Sequence, residues 1–217
     1  MSIEGPLRRR HHQPLSLIET LRYEPGIGCI RAARHIERMF RSSIALDKQL
    51  DPDEAAAQLR MVSASSPLRL RLVLDEQNRL TCTTHPFTPT PAGTVWRVAI
   101  ATTKLDAANP LLAHKTSLRQ TYEAARAEFP ASEIDEVLLE NQHGSLCEGS
   151  ITNLFVKMGE MLVTPALSDG LLEGVLRQEL LDEGKAIEGQ VRREDIENNQ
   201  FFVGNSLRGL IPANLIQ

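Results

Sequence analysis

A lysine, a glutamate followed by glycine and two glycine-led turns are the residues of this 217-residue chain best placed to do chemistry. Lys115 follows an irregular stretch around Asn109-Pro110, where a side chain can point into a cleft. A lysine amine held there can condense with an aldehyde or, once neutral, act as a base. Glu148 lies in the run Cys147-Glu148-Gly149-Ser150-Ile151-Thr152-Asn153-Leu154-Phe155, a polar turn leading into an apolar strand. A half-buried carboxylate in such a turn requires a partner, and a protonated ring nitrogen is one. Ser150 and Thr152 bring hydroxyls near the same place.

Two further segments suit an anion. Gly170-Leu171-Leu172-Glu173-Gly174-Val175-Leu176-Arg177 sets a glycine immediately before a helical run, so the backbone N–H groups of Val175 and Leu176 can meet a phosphate. Gly204-Asn205-Ser206 adds a hydroxyl on flexible backbone. Taken singly, each is an ordinary loop, and Lys115 alone reads as a surface lysine at a helix start. Together they supply what pyridoxal phosphate requires: an amine for its aldehyde, an acid for its pyridine nitrogen and donors for its phosphate.

These groups are far apart in the chain, so regular elements must bring them together. Residues 15–23 (LSLIETLRY) read as a strand, and Pro25-Gly26 with Gly28 makes a turn before a helical run over residues 32–46. On that helix Ile36, Met39, Phe40 and Ile44 share an apolar face, with Arg34, Glu37, Arg41 and Lys48 elsewhere. Asp51-Pro52 opens a second helix through residue 62, because proline at the first helical position forfeits no hydrogen bond. Residues 68–74 (LRLRLVL) alternate as a strand with Arg69 and Arg71 on one face, and residues 80–84 (LTCTT) return as its hairpin partner. Pro86, Pro89 and Pro91 then exclude regular structure, which makes residues 86–95 a linker.

Beyond the linker, residues 96–101 (WRVAIA) predict a strand, 116–129 a helix, 137–140, 154–157 and 161–163 short strands, 174–182 a helix and 201–203 a closing strand. The expected fold class is α+β, with a small N-terminal α/β half at residues 1–85 and a larger, strand-rich cofactor-binding domain at residues 96–217.

The bulk properties narrow the partners. A formal net charge of −4 gives no field that would gather nucleic acid or an acidic membrane, so the expected partner is a small molecule. Cys29, Cys82 and Cys147 are odd in number and too dispersed for a disulfide framework or a structural zinc site, which fits a cytoplasmic setting without a bound metal. No apolar run approaches the roughly 20 residues of a membrane span. The basic run Arg8-Arg9-Arg10-His11-His12 leads into no apolar segment, so it reads as a solvated terminus and not as a signal peptide.

The order His114-Lys115, Glu148-Gly149-Ser150-Ile151-Thr152-Asn153, Gly170 to Arg177 and Asn205-Ser206 resembles the fold-type IV pyridoxal-phosphate enzymes, which include branched-chain aminotransferases, D-amino-acid aminotransferases and aminodeoxychorismate lyases. Glu19-Thr20-Leu21-Arg22 and His35-Ile36-Glu37-Arg38-Met39 are similar to that family's first strand and following helix, so the likeness covers nearly the whole chain. The resemblance implies a two-domain fold, a homodimer and bound pyridoxal 5'-phosphate. It makes Lys115 the Schiff-base lysine, Glu148 the acid at the pyridine nitrogen and Arg38 a phosphate partner, with the Gly174-Val175-Leu176 turn, Asn205 and Ser206 as further phosphate contacts. Thr20 and Arg22 fall where members hold substrate, and Arg69 or Arg71 suits a carboxylate through its guanidinium fork. The ring-side tyrosine of the family is not at its usual place. Tyr122 lies about two helical turns after the lysine and reads equally as a core residue.

Among these enzymes the chain is most similar to the lyase domain found fused behind aminodeoxychorismate synthase, which shares a Glu-Thr-Leu, a His-Lys-Thr, a Glu-Gly-Ser/Thr-Ile and an Asn-Ser-Leu/Val-Arg-Gly. The resemblance implies release of 4-aminobenzoate and pyruvate from 4-amino-4-deoxychorismate in folate synthesis, with Lys115 as base and Thr20 helping the leaving group. A transaminase acting on D-amino or branched-chain amino acids is the alternative, and a member that binds the cofactor without turnover is a third reading.

Overall fold

The computed structural model describes residues 15–216; the basic run at residues 8–12 and Gln13-Pro14 lie outside them. The chain divides into two compact units, and the division is not a single cut. The first unit runs to Pro89 and takes back His114–Leu118, while the second holds Thr90–Ala113 and Arg119–Gln217. The short segment that carries Lys115 therefore groups with the N-terminal half, where contiguous halves had been expected.

The first unit is a four-stranded antiparallel sheet with two helices on one face. Its strands are β1 (Leu17–Glu24), β2 (Gly28–Cys29), β3 (Leu68–Leu74) and β4 (Leu80–Pro86), in the order β2-β1-β3-β4. Leu17, Leu21 and Tyr23 alternate inward on β1 and meet Leu70, Leu72 and Leu74 of β3 in the core. Helices α1 (Ala32–Ala45) and α2 (Pro52–Arg60) cover that core with Met39, Ala55 and Leu59. The start of α2 follows from Asp51, whose carboxylate accepts the Asp53 N–H at 2.9 Å, with Pro52 behind it.

The apolar face expected on α1 is corrected by the structure. Phe40 and Ile44 are exposed, and the buried face is His35, Arg38, Met39, Ser42 and Ser43. Helical periodicity placed Met39 correctly but could not show that a buried carboxylate, Glu19, waits on β1 to receive the charged neighbours.

The second unit is strand-rich. An eight-stranded sheet has the order β10-β9-β8-β11-β12-β5-β6-β7, and a further pairing of β7 with β8 closes six of these strands into a ring. The strands are β5 (Trp96–Ile100), β6 (Glu136–Glu140), β7 (Leu146–Gly149), β8 (Asn153–Met158), β9 (Met161–Pro165), β10 (Ala186–Gly189), β11 (Phe201–Asn205) and β12 (Gly209–Leu215). Helices α3 (Gln120–Ala127), α4 (Val175–Asp182) and α5 (Arg193–Asn198) belong to the same unit. Val98, Leu138, Leu154, Val156 and Val203 fill one apolar cluster, and Ala99, Val137, Leu139 and Cys147 another. Strands β7, β10 and β12 and helix α5 were not expected; β7 is four residues long and buried throughout, which leaves it little periodicity, and α5 buries a single residue, Ile196.

The helix expected over residues 116–129 is shorter. Thr116 forms an antiparallel bridge with Leu17, and the Ser117 N–H donates to Ser16 O at 2.9 Å, so strand-like pairing holds residues 116–117 out of the helix until Arg119. Among the described residues no helix is long and apolar enough to cross a membrane.

Candidate active site

In the first unit the lysine is positioned by its backbone. The Ile18 N–H donates to Lys115 O at 2.9 Å beside the Leu17–Thr116 bridge, so Lys115 stands against β1 in register with Ile18. Thr20 lies two residues further along that strand, about 7 Å away. Next to Lys115, His114 Nδ1 shares a hydrogen bond of 3.0 Å with Ser42 Oγ, and burial pushes the His114 pKa down.

Strand alternation sets Thr20, Arg22 and Glu24 on one face of the sheet and Leu21 and Tyr23 on the other. Register carries the same face across β3 and β4: Thr20 pairs with Arg71 and Arg71 with Thr83, and Arg22 pairs with Arg69 and Arg69 with His85. Arg22 is engaged by Glu24 and lies with its guanidinium carbon 5.7 Å from the Phe87 ring centroid. Arg69 and Arg71 are exposed, and their guanidinium groups form no ion pair among the described residues.

On the opposite face, Arg38 is 6% exposed, and its Nε and Nη2 donate to the two oxygens of Glu19 at 2.8 and 2.6 Å. His35 Nδ1 lies 2.6 Å from the same Glu19 Oε2. Burial raises the Glu19 pKa, but the Arg38 charge and the His35 and Arg38 hydrogen bonds outweigh it and hold the carboxyl at about 2. Burial lowers the His35 pKa, the Glu19 contact opposes it, and the charges of Arg38 and Lys115 add to the fall, so His35 stays neutral. One edge of the Arg38 fork is thus oriented by Glu19, an acid to which its place in Glu19-Thr20-Leu21-Arg22 alone gave no role.

The second unit holds Glu148 and the two glycine-led turns. Glu148, at 4% exposure, accepts the Tyr122 hydroxyl at 2.6 Å and the Leu172 N–H at 3.2 Å, both on Oε1. Asn153 Nδ2 donates to Leu172 O at 3.0 Å, and Asn205 Nδ2 donates to Ile151 O at 3.1 Å. The loops at residues 148–153, 170–174 and 205–208 are therefore tied to one another by side chains. Asn205 Oδ1 accepts the N–H groups of Leu207 and Arg208, which shapes the turn that presents the buried Ser206.

Ser150 and Thr152 have a different use from the expected one. Their hydroxyls donate to Glu136 at 2.6 and 2.8 Å, and the N–H groups of Val137, Ser150 and Ile151 complete a nest around that fully buried carboxylate. Sequence reasoning missed Glu136, as it missed Glu19, and gave no partner to Tyr122 or Asn153. Their side-chain partners lie 14 or more positions away, so no local pattern reveals them.

The glycine expected immediately before a helix stands at the start of α4. Gly174 is the N-cap of α4 and offers no side chain to it, so the first-turn N–H groups, those of Val175 and Leu176 included, have no intrahelical acceptor. A Cβ on Gly174 would come to 1.7 Å from Asn153 Oδ1, so no other residue fits without displacement. Cys147, beside Glu148, is pushed up to about 12 by burial and by the Glu148 and Asp169 charges, and offers no thiolate. Within the second unit a buried carboxylate, an uncapped helix start and buried Ser206 are donors and acceptors of the kinds that the ring nitrogen and phosphate of pyridoxal phosphate require, and in the first unit Lys115 supplies an amine of the kind that its aldehyde requires.

The family described as Amino-transferase class IV matches residues 16–216. The chain belongs to the class IV aminotransferases. This family uses pyridoxal phosphate, and its fold is the mixed α+β arrangement described above. A crystal structure from Mesorhizobium loti, described as a "Putative amino-acid aminotransferase", has a TM-score of 0.89 at 45% identity, covering 93% of this chain and 100% of that one. The "Probable branched-chain-amino-acid aminotransferase" of Thermotoga maritima is 30% identical over 84 residues, 36% of this chain and 31% of that protein. The aminodeoxychorismate lyase of Saccharomyces cerevisiae is 32% identical over 130 residues, 52% of this chain and 33% of that protein. The chain thus spans about a third of the length of these two curated relatives. Lyases and aminotransferases both stand among the relatives of this class IV chain.

Proposed function

We propose that this class IV enzyme is a lyase that releases 4-aminobenzoate and pyruvate from 4-amino-4-deoxychorismate, a step of folate synthesis. The observation that carries the reading is the open sheet face of the first unit. Arg69 and Arg71 stand two residues apart, about 7 Å, with Thr20 in register with Arg71 and no ion pair on either guanidinium among the described residues. Two adjacent guanidinium groups suit a substrate with two carboxylates, and a hydroxyl beside them suits a departing enolate that needs a proton.

Pyridoxal phosphate, when bound, supplies an aldehyde for the substrate amine and a ring that accepts electrons. Lys115 would hold that aldehyde, and its amino group, when free, would remove the proton from the ring carbon that bears the nitrogen. Glu148 keeps the pyridine nitrogen protonated. The α4 N-terminus and Ser206 of the second unit would contact phosphate, as would Arg38 of the first; Arg22, Arg69 and Arg71 would orient the substrate and Thr20 would protonate the leaving group. A homodimer in the cytoplasm belongs to the same reading.

The second reading is transamination, favoured by the description of the Mesorhizobium loti protein at 45% identity. Purified enzyme incubated with enzymatically made 4-amino-4-deoxychorismate should release 4-aminobenzoate and pyruvate in equal amounts, and Lys115→Ala should abolish release. Conversion of the bound cofactor to its amine form by D-alanine or leucine, with keto acid produced and no 4-aminobenzoate, would replace the lyase by the transaminase.

A further inference from the structure

Helix α3 reaches the Glu148 turn with two side chains. The Tyr122 hydroxyl donates to Glu148 Oε1 at 2.6 Å, on the same oxygen that accepts the Leu172 N–H. One turn earlier, Arg119 Nη2 donates to Ser150 O at 2.6 Å, and its guanidinium carbon lies 5.0 Å from the Tyr122 ring centroid. The helix therefore grips both ends of the 148–150 segment, and the arginine in turn packs the tyrosine. Burial pushes the Tyr122 pKa up, and the Glu148 charge and hydrogen bond push it further, so the phenol keeps its proton and can only donate it. Half-buried against the apolar cluster that contains Leu139 and Cys147, the ring has a core role as well, but a core role alone would not require the hydroxyl.

We propose that Tyr122 is a positioning residue that, braced by Arg119, fixes the Glu148 carboxylate and sets how strongly it competes for the proton on the cofactor's pyridine nitrogen. The proposal rests on the reading that Glu148 faces that nitrogen. A carboxylate that accepts a strong hydrogen bond is a weaker base. Facing a pyridinium, a weakened carboxylate leaves the proton on the ring, where it draws electrons from the reacting carbon. Without the phenol, Glu148 becomes more basic, the proton moves toward the carboxylate, and the ring withdraws electrons less strongly. A phenol committed to Glu148 is also not the donor to the cofactor's ring hydroxyl.

The test uses the cofactor-loaded enzyme and the pH midpoint of the bound cofactor's absorbance change. Tyr122→Phe keeps the ring and removes only the hydroxyl. It should move the midpoint up by about one unit and lower kcat about tenfold, with KM nearly unchanged. Glu148→Gln should move the midpoint too, and Tyr122→Phe added to it should produce no second shift, as coupled residues require. Arg119→Gln should give a smaller shift of the same sign. An unchanged midpoint in Tyr122→Phe, even with a lower melting temperature, would reduce Tyr122 to packing and overturn the proposal while leaving the Glu148 assignment in place. A full second shift in the Glu148→Gln background would overturn it as well. If Glu148→Gln alone leaves the midpoint unmoved, the placement of Glu148 at the ring fails, and the proposal with it.

Discussion

The Ser150 hydroxyl donates to Glu136 Oε1 at 2.6 Å, and neither residue exceeds 6% exposure. A hydroxyl has one proton to donate, so this bond makes Ser150 a support of the Glu148 turn. Removing a donor from a buried carboxylate costs about 1.5–3 kcal/mol. Ser150→Ala should lower unfolding stability by that amount in urea titration while the cofactor dissociation constant stays within about threefold. A loss of cofactor affinity well beyond the loss of stability would return the hydroxyl to the cofactor.

The Glu19–His35–Arg38 cluster makes acid stability titrate in two stages. His35 has a folded pKa below its ordinary 6.5, so the unfolded chain binds its proton first, and stability present above that value is lost as pH falls through it. Glu19 is held at about 2 against an ordinary 4.5, so its contribution is complete above 4.5 and disappears as pH falls toward 2. That difference is worth about 3 kcal/mol. Denaturant midpoints measured from pH 8 to pH 3 should show both losses. His35→Gln should remove the first, and Glu19→Gln should remove the second at the expense of stability at neutral pH.

Gly174→Ala should weaken cofactor binding more than it weakens the fold. The added methyl would meet Asn153 Oδ1, and Asn153 in turn holds Leu172 O, so the turn before α4, proposed to hold the phosphate, must itself shift. A loss of about tenfold in pyridoxal-phosphate affinity, equivalent to roughly 1.4 kcal/mol, is expected by fluorescence titration. Wild-type affinity in this variant would mean that the phosphate is held elsewhere.

Arg69→Gln and Arg71→Gln separate substrate binding from cofactor binding. Both residues are exposed strand positions, so stability should change by less than about 0.5 kcal/mol. If they hold carboxylates, KM for 4-amino-4-deoxychorismate should rise about tenfold for each, with the cofactor spectrum unaltered. Unchanged steady-state kinetics in both variants would remove them from the substrate site.

The family and its cofactor were legible in the residue order because the motifs that carry the resemblance are local. Lys115 after Asn109-Pro110, Glu148-Gly149 in a turn and Gly174 before a helix each carry their signal within a few residues, and strand alternation in LRLRLVL placed Arg69 and Arg71 on one face before any register was known. What tertiary structure decided are the long-range partners. Arg38 meets Glu19 across 19 positions, Tyr122 meets Glu148 across 26, and Ser150 meets Glu136 across 14. A hydrogen bond has no periodicity to reveal it, so a hydroxyl near a motif looks the same whether it serves a cofactor or a buried carboxylate. The same reason explains α1, where pattern favoured Phe40 and Ile44 for burial and the sheet buried Arg38 and His35, because Glu19 made burial of their polar groups affordable.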